Sequence, residues 1–307
     1  MERLDGGSAV PARLRDGIVA LGNFDGFHLG HQAVVGRAVE LARSEGRPVL
    51  VATFDPHPVR LFQPDAPPFR LTTLDQRERL FGAAGADAML VFHFDAQLAA
   101  VAAEDFVTDW LIKRIGAKGV VTGDDFTFGN RRRGNVALLK AVGNANGLAC
   151  EAVPPVTDQG ARVSSSRIRE ALQAGDCPTA TRLLTRPFAI EGTVQHGDKL
   201  GRAIGYPTAN IALGNYLRPA YGIYAVRGRL DDGRQVDGVA SLGIRPSFDP
   251  PRELLEPYFF DFSGDLYGQT VEVELHAYLR PELKFDTLDA LKAQIDLDCA
   301  NARQLLG

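Results

Sequence analysis

The chain has 307 residues, 45% hydrophobic and 23% charged, with a formal net charge of -4. That length suggests two domains with sizeable cores, and the near-average composition excludes wholesale disorder, a fibrous repeat and a coiled coil. The slight acidity argues against a chain-wide grip on nucleic acid, and no apolar run reaches the roughly 20 residues that cross a bilayer. The first residues lack the basic-then-apolar order of a secretory signal. Cys150, Cys177 and Cys299 lie far apart, without metal-type spacing. The expectation is a reduced, cytoplasmic protein, monomeric or weakly homo-oligomeric, with neither membrane nor nucleic acid as partner.

In the first half, short apolar runs at 18–21, 49–54, 89–92, 120–122 and 149–153 read as buried strands. Between them, 31–44, 73–80, 104–115 and 136–145 read as helices; the third repeats Phe106, Trp110 and Ile115 at near-helical spacing. Such alternation implies right-handed crossovers and a parallel sheet covered on both faces, with ligands outside the carboxyl ends of its strands. The second half differs. After a helix-like 166–174 and a short segment ending near 186–187, strands are expected at 189–194, 222–230, 236–242, 258–262 and 270–279, then a helix at 288–305. Asp231-Asp232-Gly233 is a hairpin signal. The expected architecture is α/β plus all-β. A doubly wound parallel sheet occupies 1–184, and a small antiparallel β-barrel with a C-terminal helix occupies 185–307.

The strongest chemical signal runs from Gly22-Asn23-Phe24-Asp25-Gly26 to His28-Leu29-Gly30-His31, just after the first strand and at the start of the first helix. A helix N-terminus favours an anion, and two imidazoles there can donate to charge developing in phosphoryl transfer. A surface histidine pair is the bland alternative. Zinc is a weaker one, since no third ligand has recognisable spacing. This string resembles the His-x-Gly-His signature of nucleotidyltransferases and, more narrowly, the adenylyltransferase module of bacterial bifunctional riboflavin kinase/FAD synthetases. Three further segments match that family in order: 53–58 with His57, 123–129 with Asp125, Phe126 and Phe128, and 164–169 with Ser166 and Arg169.

The resemblance implies that His57, Asp125, Phe126, Phe128 and Arg132 line a flavin pocket. It also implies that Gly22, Asn23, Phe24, Gly30, Ser166 and Arg169 bind nucleotide. Each segment has a plainer reading: a proline-bounded turn at His57, core aromatics at 126 and 128, a solvated run at Arg131–Arg133 and a helix cap at 164–166. Asn135 stands where many relatives carry aspartate.

The second cluster covers residues 192–210. Gly197, Gly201 and Gly205 recur every four residues outside a helical context, so backbone N–H groups can approach phosphates; a turn-rich connection is the alternative. With Arg202, Pro207, Thr208 and Asn210, the whole string resembles the riboflavin kinase signature. That likeness implies nucleotide contacts from 197, 201, 202 and 205. It also implies Mg2+ contacts from Thr208 and Asn210, oxygen ligands of the kind magnesium prefers. Tyr221 falls on the family's Tyr-Gly-Val-Tyr strand and is expected at the flavin. Glu256 falls on its glutamate base, although a solvated charge is the bland reading. Pro257, lacking a ladder donor, implies an edge or strand start there.

Ser241 replaces the family's commoner asparagine. The implied activities are ATP-dependent phosphorylation of riboflavin to FMN by the barrel, and adenylyl transfer from ATP to FMN, giving FAD and pyrophosphate, by the sheet domain. Three rivals are a monofunctional kinase with an inactive first module, a flavin-sensing regulator, and a cytidylyltransferase-type module fused to an unrelated barrel.

Overall fold

The computed structural model describes residues 1–196, 201, 204–245 and 252–307. By their contacts they form two units, Met1–Pro67 with Leu74–Ser164, and Pro68–Thr73 with Ser165–Gly307.

The first unit is built on strands β1 (Glu2–Asp5), β2 (Ile18–Leu21), β3 (Val49–Asp55), β4 (Ala88–His93), β5 (Gly119–Gly123) and β6 (Ala149–Val153). They pair in the order β1-β4-β3-β2-β5-β6, every neighbouring pair parallel. Helices α1 (Leu29–Glu45), α2 (Pro58–Phe62), α3 (Leu74–Ala83), α4 (Ala96–Ala100), α5 (Ala103–Asp105) and α6 (Val136–Ala145) connect them.

Alternate strand residues serve opposite faces. Ile18, Ala20, Val51 and Met89 pack with Val35, Ala38 and Phe81 of α1 and α3, while Val19, Leu21, Leu50 and Leu90 pack with Phe106, Leu111 and Leu139 on the other side. The chain leaves β2 toward β3 on one side and reaches β5 on the other. The strand order therefore switches between β2 and β5, where such sheets open a crevice.

Two differences from expectation have local causes. β1, with its charged Glu-Arg-Leu-Asp sequence, is an edge strand whose pairing with β4 no apolar pattern announces. The third helix widens to π geometry over Phe106–Ile115 and ends at left-handed Gly116. The spacing of Phe106, Trp110 and Ile115, four and then five residues, matches that wider turn.

The second unit opens with α7 (Ser165–Gln173) and α8 (Cys177–Leu184). Six strands follow, β9 (Phe188–Gln195), β10 (Asn210–Ala212), β11 (Gly222–Arg229), β12 (Gln235–Arg245), β13 (Arg252–Phe259) and β14 (Thr270–Arg280), then α9 (Leu288–Leu306). (A two-residue hairpin, β7 at Thr157–Asp158 and β8 at Ala161–Arg162, belongs to the first unit.) The six strands close a barrel in the order β10-β13-β12-β11-β14-β9. Tyr224, Leu242, Leu255, Val271, Val273 and Leu275 fill it, and α9 covers an outer patch that includes Ala225, Val239 and Tyr258. The Asp231–Gly233 turn joins β11 to β12 as expected, with Gly233 left-handed.

The strand expected at 258–262 lies earlier, and Pro257 sits inside it rather than at its start. A strand residue's N and O face the same neighbour. The Pro257 carbonyl accepts from Ala209 N–H at 2.9 Å, so its missing N–H faces residues preceding β10 and costs no donor within that short strand. The units divide at Ser164/Ser165, and α8 buries Cys177, Leu183 and Leu184 where it packs on β9 and β14.

Candidate active sites

At the carboxyl end of β2 the chain turns through Phe24, Gly26 and Phe27, all at positive φ, before entering α1. His28 is the N-cap of that helix: its Nδ1 accepts the His31 backbone N–H at 3.4 Å. An accepting Nδ1 places the proton of the neutral ring on Nε2, which is then a donor. The His28 and His31 rings stack with centroids 3.6 Å apart, and Phe24 meets His31 edge-on at 5.3 Å. A Cβ on Gly30 would lie 3.2 Å from the His28 ring, so glycine there leaves the ring its place. Gly22 likewise presses against the Phe24 ring. The sequence-predicted pair is thus a stacked unit at a helix N-terminus, beside the strand switch point, with His28 buried as the cap and His31 half-buried. It can donate to phosphate charge.

The other residues of this unit hold varied positions. His57 caps α2, its Nδ1 accepting Val59 N–H at 3.2 Å. Asp125, after β5, is exposed and paired with Arg162 at 2.8 Å. Phe126 stacks on Phe128 at 5.6 Å; Phe128 belongs to the core, whereas Phe126 is only partly buried above it. Arg132 is exposed, left-handed, and donates to the Thr127 hydroxyl at 2.9 Å. Asn135 caps α6 by accepting Leu138 N–H at 2.9 Å, a task aspartate performs equally well.

Ser166 and Arg169 stand in α7, within the second unit. Arg169 donates to the Phe69 carbonyl at 2.8 Å, and its guanidinium lies 5.3 Å from the Phe69 ring centroid.

In the barrel, Glu256 lies on the outer face of β13, opposite in direction to buried Leu255 and on the same side as Tyr258. Its cross-strand neighbour on β12 is Ser241. Arg245 donates to Glu256 Oε2, to Ser241 Oγ at 2.6 Å and to Glu282 at 2.8 Å. On the other side, β10 pairs Ile211 with Leu255 and Ala212 with Leu254. Continuing that register sets Asn210 opposite Glu256, at the roughly 5 Å Cβ spacing of directly paired residues.

The Gly201 backbone packs so closely that a Cβ would fall 2.3 Å from the Tyr206 carbonyl and 3.4 Å from Thr208 Oγ1. Gly205 is left-handed and open to solvent. Tyr206 donates to Asp296 of α9 at 2.6 Å, which pushes its pKa up to about 12. Gly197 and Arg202 lie outside the described residues.

The neighbouring acids are committed elsewhere. Glu253 accepts from Arg218 at 2.7 Å and from the Tyr221 hydroxyl, and Arg218 above all holds its pKa below the ordinary carboxylate value. Burial and then this contact push Tyr221 up to about 12. Asp261 pairs with Arg303 of α9 at 2.8 Å, and Asp265 accepts Tyr267 N–H at 3.0 Å.

Sequence reasoning missed Arg245, the partner of Glu256, and Arg77, which bonds to the loop before His28. Arg245 was legible in principle, because residues 241 and 245 share one face of a strand. Among the described residues no group of three His, Cys, Asp or Glu side chains converges as a metal site, and no helix is long and apolar enough to cross a membrane.

The FAD synthetase family model matches residues 10–167 and the riboflavin kinase family model matches residues 184–306. A bifunctional riboflavin kinase/FMN adenylyltransferase of Escherichia coli (strain K12) is 40% identical over 290 residues, covering 94% of this chain and 93% of that protein. The protein so described from Bacillus subtilis (strain 168) is 37% identical over 287 residues, covering 92% and 90%. A solved structure described as a macrolide-efflux protein from Streptococcus pneumoniae is similar at a TM-score of 0.86 and 33% identity, covering 97% of each chain.

Proposed function

Because the chain belongs to the bacterial bifunctional riboflavin kinase/FMN adenylyltransferase family, we propose a division of its two reactions among named residues. It is a two-domain enzyme whose barrel phosphorylates riboflavin and whose parallel-sheet domain adenylylates FMN, with ATP as co-substrate of both. We assign the domains to 1–184 and 185–307, the second beginning one residue after the riboflavin kinase family model does, although α7 and α8 belong by contacts to the barrel's unit.

In the sheet domain an FMN phosphate oxygen attacks the α-phosphorus of ATP. The α–β bridging P–O bond breaks and pyrophosphate leaves. His28, donating through Nε2–H, and His31 stabilise charge on the phosphates, aided by the α1 N-terminus; no covalent intermediate is required. The observation that carries this reading is the capped, stacked histidine pair beside the strand switch point. Ser166 and Arg169 take the phosphate role that the resemblance implies. Partly buried Phe126, together with His57, Asp125 and Arg132, takes the flavin role, and Phe128 supports Phe126 from the core.

In the barrel Glu256 accepts the proton of the riboflavin 5′-hydroxyl as that oxygen attacks the γ-phosphorus and ADP departs. Arg245 holds Oε2 of the carboxylate, so Oε1 is assigned the proton. The Asn210 amide oxygen, opposite this carboxylate by register, and the Thr208 hydroxyl, which a Cβ on Gly201 would crowd, are hard donors. They fit magnesium, which takes few protein ligands alongside substrate phosphates, and which when bound neutralises phosphate charge. Free cysteines and an ATP substrate suit a reducing compartment, and we assign the enzyme to the cytoplasm.

One assay tests the whole reading. Protein, riboflavin, ATP and magnesium are mixed and the flavins separated by chromatography. FMN followed by FAD is expected. FMN alone would restrict the chain to the kinase, and no product would remove both activities.

A further inference from the structure

The loop that carries the histidine pair is held from behind by α3. Among the described residues Arg77 is the largest side chain with no exposure at all, and it reaches across to residues 23–25. It donates to Thr53 Oγ1 at 3.3 Å, to the Asn23 carbonyl at 3.4 Å and to Asp25 Oδ1 at 3.4 Å. Asp25 is itself 1% exposed, and Thr53 donates to the same Asn23 carbonyl at 2.8 Å. One helical turn along, Phe81 meets the rings of Phe24 and Phe27 edge-on at 5.7 and 5.1 Å. α3 thus grips both sides of Phe24, a non-glycine residue at φ 50° whose ring in turn abuts His31.

A buried ion pair contributes little net stability compared with apolar residues of the same shape, because desolvation offsets attraction. Backbone in a sparsely populated region persists only where its surroundings over-determine it. A charged network that pins such backbone next to reacting groups therefore has a use beyond stability. We propose that Arg77 is a positioning residue for adenylyl transfer. It fixes the Asn23–Asp25 backbone, and through the Phe24 ring it fixes the His31 imidazole against the nucleotide. This rests on assigning that reaction to His28 and His31.

The test uses the full chain, with riboflavin phosphorylation as an internal control in the other domain. Arg77→Met removes these three bonds and takes the guanidinium from beside the buried Asp25 carboxylate. The double variant Arg77→Met with Asp25→Asn restores neutrality and supplies a folded protein if the single one fails. Arg77→Lys keeps the charge with fewer donors.

Below the melting temperature, adenylylation kcat should fall at least tenfold in the folded Met variants, and more than the KM for ATP changes. Lys should recover part of that loss, and phosphorylation should stay within twofold. A purely structural role would lower the melting temperature but leave kcat intact. Folded Met variants within threefold of wild-type kcat would overturn the proposal. His31→Ala, run in parallel, separates the failures. If it leaves adenylylation intact, the histidine assignment fails. If it abolishes adenylylation while the Arg77 variants do not, only the positioning role fails.

Discussion

The two units build their sites by opposite routes. In the sheet unit the histidine pair proposed to act on phosphate comes from one short stretch after β2, and the fold only has to brace it. His28 is 5% exposed, caps α1 and stacks on His31, and the Phe24 and Phe27 backbone before it is left-handed. In the barrel the proposed site draws on β10, β12 and β13, between residues 210 and 259, and its carboxylate sits in a partly exposed ion-pair network. A contiguous site can be rigid before substrate arrives. A site spread over strands depends on register, since a one-residue slip turns every side chain to the other face.

The sharpest way to break this contrast is at Glu256. If β13 and β10 hold their register, Glu256→Gln keeps the shape but cannot take the hydroxyl proton. FMN formation should fall about 10²–10⁴-fold in kcat, with substrate affinities changing far less. Adenylylation of supplied FMN should continue. Retention of more than about a tenth of wild-type phosphorylation would fall outside that range and pass the role to another acid. Glu253 would be the first to test, although Arg218 and Tyr221 already occupy it.

Next in size is the histidine pair. His28→Ala or His31→Ala should slow adenylylation on the order of 10²–10³-fold and leave phosphorylation nearly unchanged. Joint collapse of both rates in folded protein would mean the sites are not independent.

A third experiment asks where the barrel's own core ends. A fragment of residues 185–307 omits α8, whose Leu183 and Leu184 are almost fully buried. At about 1.5–3 kcal/mol for each buried leucine, it should be roughly 3–6 kcal/mol less stable to urea than a fragment starting at 175, which keeps α8. Equal stability would show that α8 is dispensable to the barrel.

The smallest expected effect is on pH dependence. Arg218 holds Glu253 below its ordinary value of 4.5, so the stabilisation is fully present above that pH. It is lost as pH falls through the lower folded value. Thermal melts of the 165–307 fragment in acid should therefore be flatter for Arg218→Gln than for wild type. Parallel curves would detach this pair from the acid response.

The histidine loop, the glycine–proline loop and the β/α alternation were legible because local physics writes them locally. Apolar strands, caps and turn residues act over a few positions, and His28 caps a helix that begins at the next residue. Wherever partners are distant, the sequence is silent. Nothing in the string Leu-Asp-Gln-Arg tells that Arg77 will be buried against residues 23–25, because only the packing of α3 on the sheet brings them within bonding distance. β10, with only three residues, is too short to show a pattern. Pro257 suggested an edge or a strand start, whereas closure of the barrel let it sit inside β13 with its missing donor facing residues that precede β10.

From sequence alone come the two-domain order, the two layer types and the residues that can do phosphate chemistry. Tertiary structure decided which of those residues meet. It set Asn210 beside Glu256 and Arg245 on its carboxylate, sank Phe128 into the core beneath Phe126, and placed α7 and α8 with the barrel. The reason is one of range: propensity and capping act between neighbours in the chain, whereas register, ion pairing and burial are set by segments that meet only once the chain has closed on itself.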